Sequence, residues 1–240
     1  MKKKLIVVTG ASSGIGEEIA KQFSNLGHPL LLLARRVEKL QKFNLPNTIC
    51  EKVDITNSTS FEDAVTKAEK EYGPTDCIVN NAGMMLLGQI DTQDTSEWKN
   101  MFDVNVLGLL NGMHIVLAGM KERHCGTIIN ISSIAGRKTF PNHAAYCGTK
   151  FAVHAISENV REEVAGFGVR VVTISPGAVE TELLSHTTSD EIKDGYENWK
   201  KSMGGVLVPN DIARTVLYVY QQPQGVCIRE IVIAATGQQP

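Results

Sequence analysis

The stretch Leu5-Ile-Val-Val-Thr9-Gly10-Ala-Ser-Ser-Gly14-Ile-Gly16 decides how the rest of this chain is read. Residues 4–9 are dominated by an apolar, β-branched run without polar alternation, the pattern of a strand buried on both faces. Three glycines follow, and a helix is expected over about 14–26. Strand, glycine turn and helix at the start of a chain form the βα entry of a doubly wound sheet. The glycines follow a TGxxxGxG spacing rather than GxGxxG, but the physical reasons are the same. One permits a tight turn, one lets the backbone approach a pyrophosphate, and one allows the helix to sit close on the sheet, with phosphate at its N-terminus. Gly10, Ser12, Ser13, Gly14, Ile15 and Gly16 are therefore the candidate phosphate cradle.

Outward from this unit the pattern repeats. Strand-like runs are expected at 30–34, 49–54, 77–80, 126–132, 169–174 and 226–233, and helical ones at 36–43, 58–72, 95–122, 144–166 and 209–220. This alternation predicts an α/β fold, a doubly wound, mostly parallel Rossmann sheet in a single domain over 1–240. There is no internal repeat, low-complexity tract or linker. Residues 177–208 form an irregular excursion longer than most loops of a compact domain, with a polar helical piece carrying Tyr196 and Trp199, and loops of that length usually serve function.

Composition narrows the partners. The chain has 240 residues, a formal net charge of -2 and 42% hydrophobic residues. Such a balance offers no broad basic field for nucleic acid or an anionic membrane, so small molecules are the expected partners. Five cysteines (Cys50, Cys77, Cys125, Cys147, Cys227) occur without CxxC pairs. An odd, scattered set argues against a disulfide framework or a zinc site, and it suits reduced thiols in a cytoplasm; no metal is expected. The start, Met1-Lys-Lys-Lys4, looks like a signal peptide's charged region, but the apolar run after it stops at Thr9, too short for export or a membrane span.

The second strand ends in Ala34-Arg35-Arg36. An acidic residue there would bond a ribose 2′-hydroxyl and favour NAD; two guanidiniums can instead hold the 2′-phosphate of NADP by forked, charge-assisted bonds. Further on, Tyr146 and Lys150 lie four apart in a Pro-free segment and share one helical face. A nearby ammonium stabilises a phenolate and would lower the phenol's pKa, making Tyr146 a usable acid or base. Ser133, closing the strand-like run 126–132, could donate to a substrate oxygen beside that phenol. A Tyr–Lys pair at this spacing is common on solvated helices, so it needs independent support. Asn105, an amide in an apolar helical run, must find buried partners.

Taken together, Thr9-Gly10-Ala-Ser-Ser-Gly14-Ile-Gly16, Asn80-Asn81-Ala82-Gly83, Ser133, and Tyr146 with Lys150 resemble the short-chain dehydrogenase/reductase family over nearly the whole chain. The resemblance implies an NADP(H)-dependent oxidoreductase moving hydride between nicotinamide and a small alcohol or carbonyl substrate. Ser133, Tyr146 and Lys150 would be its catalytic group, and Asn105 would join a proton relay to Lys150. It further implies that Asp54 and Ile55 meet the adenine, that Asn81, Ala82 and Gly83 line the ribose and adenosine side, and that Pro176, Gly177, Val179 and Thr181 fix the nicotinamide ring. Residues 177–208 would fold over the substrate as a lid. Within the family, Leu33-Ala-Arg-Arg36 and Pro176-Gly-Ala-Val-Glu-Thr-Glu182 look most like NADP-dependent 3-hydroxy acid and serine dehydrogenases. Family members pair in dimers and tetramers, and small residues at Ala144, Gly148, Ala152 and Ala155 suit such a contact. Arg137 and Lys138 are either carboxylate holders or a solvated loop, and His143 and His154 are set aside as bases. A catalytically idle NADPH-binding sensor or assembly protein stays open as an alternative, as does an epimerase or dehydratase with tightly held cofactor.

Overall fold

The computed structural model describes residues 3–238; Met1, Lys2, Gln239 and Pro240, at the ends of the expected domain, lie outside the described residues. The strands are β1 (Leu5–Thr9), β2 (Leu30–Ala34), β3 (Thr48–Lys52), β4 (Thr75–Asn80), β5 (Gly126–Ile131), β6 (Val169–Pro176) and β7 (Glu230–Ile233). They form one parallel sheet in the order β3-β2-β1-β4-β5-β6-β7. The helices are α1 (Gly14–Asn25), α2 (Val37–Gln41), α3 (Ser58–Tyr72), α4 (Thr95–Phe102), α5 (Gly108–Glu122), α6 (Ala144–Val164), α7 (Asp190–Ser202) and α8 (Pro209–Tyr220).

Alternate residues of one strand point to opposite faces, so a strand covered on both sides must be apolar throughout. Leu5, Val7, Leu31, Leu33, Ile78 and Ile128 face one core, which holds Phe61 of α3, Met113 of α5 and Val153 of α6. Ile6, Val8, Leu30, Leu32, Val79 and Ile129 face the other, against Phe23 of α1 and Val216 of α8. This two-faced burial is the physical cause of the unbroken runs in the sequence. The chain leaves β1 toward β2 on one side, and β4 lies on the other. Their carboxyl ends therefore part into a crevice at the switch point of the sheet.

Most element ends fall within two residues of the sequence expectation, and two elements differ by more. The stretch 95–122 is not one α-helix: Asp103–Leu107 form a π-helical turn between α4 and α5. Residues 103–107 hold no Gly or Pro; the turn is held from outside, by a pair of hydrogen bonds exchanged between the Asn105 amide and the Met84 backbone. By length and composition this stretch could cross a membrane. Its residues Leu109, Met113, Val116 and Met120 are instead part of the core. The last strand begins at Glu230 rather than 226, where pairing with Thr173 of β6 starts.

After β6 the segment 177–208 rises over the crevice through a short 3-10 turn, Glu182–His186, and α7. Its two ends are tied to each other: Glu180 N donates to Leu207 O at 2.9 Å and Leu207 N to Ala178 O at 3.1 Å.

Candidate active site

A cavity of about 1080 Å³ opens at the carboxyl ends of the strands and runs from the glycine turn to α7. The turn is shaped by Gly10, at φ +62°, where a Cβ would come within 2.7 Å of the Ala82 backbone. Thr9 joins the two loops: its hydroxyl accepts from the N–H groups of Asn81 and Ala82, each at 3.0 Å. Asn81 Nδ2 donates in return to the carbonyls of Thr9 (3.0 Å) and Gly10 (3.2 Å). Gly16 does not line the cavity; it packs behind, where a Cβ would lie 2.5 Å from the Gly10 carbonyl oxygen. Gly10, Ser12, Ser13, Gly14 and Ile15 do line it. Ser13, the N-cap of α1, makes no side-chain capping bond, so the first-turn N–H groups remain available to an anion. This end of the cavity fits a dinucleotide's phosphates.

Arg35 and Arg36 stand at the adjoining wall, with Asp54, Ile55, Ala82 and Gly83. The Arg36 guanidinium reaches over the glycine turn, donating to Ser13 Oγ at 2.9 Å. It also pairs with Glu182 of the overlying segment at 2.9 Å, which Lys39 joins at 3.3 Å. Hydrogen bonds from Arg36 and Lys39 hold the Glu182 carboxyl below its usual range. Neither Lys39 nor Glu182 was foreseen from the sequence, because their pairing spans more than 140 residues. Asp54 is turned into its own loop, accepting from Thr56 N (3.0 Å) and Thr56 Oγ1 (2.7 Å).

At the foot of the cavity Ser133, Tyr146 and Lys150 come together. Ser133 follows β5 and accepts from Ala135 N at 3.0 Å, which holds its hydroxyl at the start of a short 3-10 turn. Tyr146 and Lys150 occupy one face of α6 and are 5% and 6% exposed. A lysine this buried is not a surface residue, and the solvated-helix reading of the pair is thereby removed. Lys150 Nζ donates to Ile131 O at 3.0 Å and stands 5.8 Å from the Tyr146 ring centre. Burial draws Lys150 down to about 8. Burial also pushes the Tyr146 phenol above its ordinary value, with the facing Ser133 hydroxyl working the other way and the nearby Tyr196 phenol adding to the rise. The expected lowering by Lys150 is thus corrected: desolvation of the phenol is the larger effect, and Ser133 is the group that opposes it.

Asn105 lies behind this wall, in the π turn. Its Oδ1 accepts from Met84 N at 2.8 Å, and its Nδ2 donates to Met84 O (2.8 Å) and Thr149 Oγ1 (3.1 Å). Only Gly83 separates it from Lys150: a Cβ there would lie 3.5 Å from Asn105 Oδ1 and 3.9 Å from Lys150 Nζ. Pro176, Gly177, Val179 and Thr181 line the cavity beyond β6. Thr181 touches the glycine turn, since a Cβ on Gly14 would lie 3.2 Å from its methyl group.

Among the lining residues Gln238 and Phe140 carried no sequence signal, whereas Tyr196 and Trp199 belong to the expected lid. Gln238, next to the end of the described chain, accepts from Ala178 N at 2.9 Å beside Gly177. Phe140, Tyr196 and Trp199 wall the cavity near Tyr146. His143, set aside as a base, is a half-buried wall residue whose side chain makes no capping bond. Arg137 pairs with Glu230 of β7. Lys138 has its ammonium 5.2 Å from the Phe140 ring centre. Neither lines the cavity, so the carboxylate-holder reading of these two residues is not supported. His154 sits outside it as well, with Nε2 3.2 Å from Ser175 Oγ.

The buried amine makes stability depend on pH in a calculable direction. Below about pH 8 Lys150 is charged in both folded and unfolded chains, and the cost of burying the charge is fully present. Between about 8 and its ordinary 10.5 the folded state sheds the proton first, so the unfolded state binds more protons and stability rises with pH. Lys150→Met removes this dependence. Urea unfolding across that window should show the wild type gaining on the variant as pH rises; a flat or opposite difference contradicts the assigned burial.

The family model described as short chain dehydrogenase matches residues 4–192. An uncharacterized oxidoreductase of Staphylococcus saprophyticus is 37% identical over 99% of this chain and 98% of its own length. A glycine betaine reductase of Emericella nidulans is 37% identical over 96% of this chain, which spans 18% of that much longer protein. Among solved structures, the closed form of serine dehydrogenase complexed with NADP+ superposes with a TM-score of 0.92, at 31% identity, covering 98% of this chain and 96% of that one.

Proposed function

Because the chain belongs to the short-chain dehydrogenase family, we propose that it is an NADP(H)-dependent alcohol dehydrogenase or carbonyl reductase acting on a small substrate. The observation that carries this reading is the meeting of Ser133, Tyr146 and the buried Lys150 at one end of a cavity whose other end is an uncapped helix N-terminus. NADP(H) is the cofactor, in keeping with the NADP-bound serine dehydrogenase likeness, and when bound its nicotinamide supplies or accepts the hydride. The N–H groups around Gly10–Ile15 hold its phosphates, and Arg35 and Arg36 its 2′-phosphate. Asp54 and Ile55 line the adenine side, Asn81, Ala82 and Gly83 the ribose, and Pro176, Gly177, Val179 and Thr181 the nicotinamide side. Tyr146 gives its proton to the carbonyl oxygen in reduction, or takes one from the alcohol in oxidation, while Ser133 holds the same oxygen. Lys150 keeps a positive charge near the phenol, and Asn105, one residue's breadth away behind Gly83, belongs to the path that returns the proton.

Residues 177–208 act as the lid, since Leu184, Ile192 and Tyr196 pack into the cluster that surrounds Tyr146. A 3-hydroxy acid, suggested by the likeness to serine dehydrogenase, would need a cation for its carboxylate, and Arg137 and Lys138 do not reach the cavity. The five free cysteines suit a reducing cytoplasm.

Self-association is part of the reading. Phe102, Leu107 and Phe151 are 42%, 52% and 43% exposed on α4, the π turn and α6, and a Cβ on Gly148 would lie 3.5 Å from the Phe102 ring. Large apolar side chains gathered on one surface mark a contact, here with a second copy as dimer or tetramer. Phe151→Glu should shift the protein to monomer in size-exclusion chromatography with light scattering; a wild type that elutes as a monomer sinks this part of the proposal.

The test of the function is loss of NADPH absorbance with a panel of aldehydes and ketones. Tight NADPH binding without consumption by any of them would favour the idle sensor, and altered product without net oxidation would favour an epimerase or dehydratase.

A further inference from the structure

Next to Tyr146 four aromatic rings close a circuit. The centre-to-centre separations are 5.5 Å from Phe140 to His143, 6.2 Å from His143 to Tyr196, 5.2 Å from Tyr196 to Trp199 and 6.3 Å from Trp199 back to Phe140. His143 is also 6.2 Å from the Tyr146 ring, so the circuit adjoins the proton donor directly. All five rings line the cavity. Two come from the loop before α6 and two from α7, so the circuit exists only where the lid meets the catalytic helix. Ring faces carry negative potential, and a cation within about 6 Å of several centres is attracted to each, most strongly where water is excluded.

The surrounding charge points the same way. Four cations line the whole cavity among the described residues. Arg35 and Arg36 belong to the cofactor end and Lys150 to the catalytic group. Lys200, on α7, is neutralised by Glu180 at 2.9 Å and Glu197 at 3.0 Å. Near the lid the wall carries the carboxylate of Glu97, which accepts from Gln93 (2.9 Å) and from Thr188 of the lid (3.2 Å). Burial keeps His143 below its ordinary pKa, so its ring is neutral near pH 7 and does not repel a cation.

We propose that the substrate is a short carbonyl compound with a methylated ammonium head, seated among Phe140, His143, Tyr196 and Trp199 while its carbonyl oxygen lies at Tyr146 and Ser133. This inference rests on the oxidoreductase reading and names its substrate class. An unmethylated ammonium would seek hydrogen-bond acceptors and water, whereas a trimethylammonium group has no N–H to satisfy and suits rings. Reduction is balanced: the carbonyl carbon takes two electrons as hydride from NADPH, its oxygen takes the Tyr146 proton, the C=O π bond is lost, and alcohol and NADP+ leave. The phenol then regains its proton from solvent.

Charge can be tested at constant shape. NADPH consumption is compared for trimethylammonioacetaldehyde, its neutral isostere 3,3-dimethylbutanal and the anionic 3-oxopropanoate. Tryptophan fluorescence is titrated in parallel with (2-hydroxyethyl)trimethylammonium and with 3,3-dimethylbutan-1-ol, in the presence of NADP+. The expected result is kcat/KM at least about tenfold higher for the cation than for its isostere, with the same order in binding. Trp199→Leu should lower kcat/KM for the cation more than for its isostere, so that the ratio between them falls toward one; an unchanged ratio overturns the inference. Equal or better use of the neutral or anionic compound overturns the inference and leaves the oxidoreductase reading standing. Selective binding of the cationic alcohol with no aldehyde reduced keeps the recognition and overturns the reaction. Failure of all aldehydes and of selective binding overturns the inference altogether.

Discussion

Tyr146→Phe will lower kcat by about 10²- to 10⁴-fold while leaving NADPH binding essentially unchanged. The substitution removes one hydroxyl and keeps a ring that is 5% exposed and part of the apolar cluster that includes Met85 and Leu184, so the fold has no reason to shift. What disappears is the group able to give a proton to a carbonyl oxygen at the foot of the cavity. The phenol is buried and resists ionisation, with Ser133 opposing that tendency. In the reductive direction such a phenol is in the right state, protonated, over the whole neutral range. Comparing single-turnover rates with NADPH affinity by fluorescence separates the two effects. Turnover within tenfold of the wild type would remove Tyr146 from the chemistry.

The second large effect concerns the cofactor. Arg35→Ala with Arg36→Ala should raise KM for NADPH by about 10²-fold and leave KM for NADH nearly unchanged, because each charge-assisted bond to a 2′-phosphate contributes roughly 1.5–3 kcal/mol. The two arginines should not contribute equally. Arg36 is already engaged by Glu182, so a phosphate there replaces one anion by another and the gain is a difference. Arg35, exposed at the end of β2, has the larger share. Steady-state kinetics of the single and double variants with both dinucleotides test this; equal losses with NADH and NADPH would mean that the arginines read no phosphate.

The sheet was legible because burial on both faces leaves a mark in its inner strands: Leu30–Leu33 can only be so apolar if helices cover both sides. The glycine turn was legible because positive φ at Gly10 and the close approach at Gly16 admit no side chain. The π turn at Asp103–Leu107 was not. Its cause is the Asn105 bond to Met84, twenty-one residues away, and helical periodicity carries no trace of such a partner.

The site divides in the same way. Sequence alone put Tyr146 and Lys150 on one helical face and a phosphate cradle at the first turn; that Ser133 and this pair share a location with the cradle came from the resemblance of the four motifs taken together. Tertiary structure decided the electrostatics. How far a phenol or an amine departs from its ordinary pKa depends on the water removed around it, and that is a property of everything packed nearby. The same holds for the substrate end, where Phe140 and His143 meet Tyr196 and Trp199 only after the lid has folded back across more than fifty residues, and where Arg137 turns away to Glu230 instead of toward the cavity.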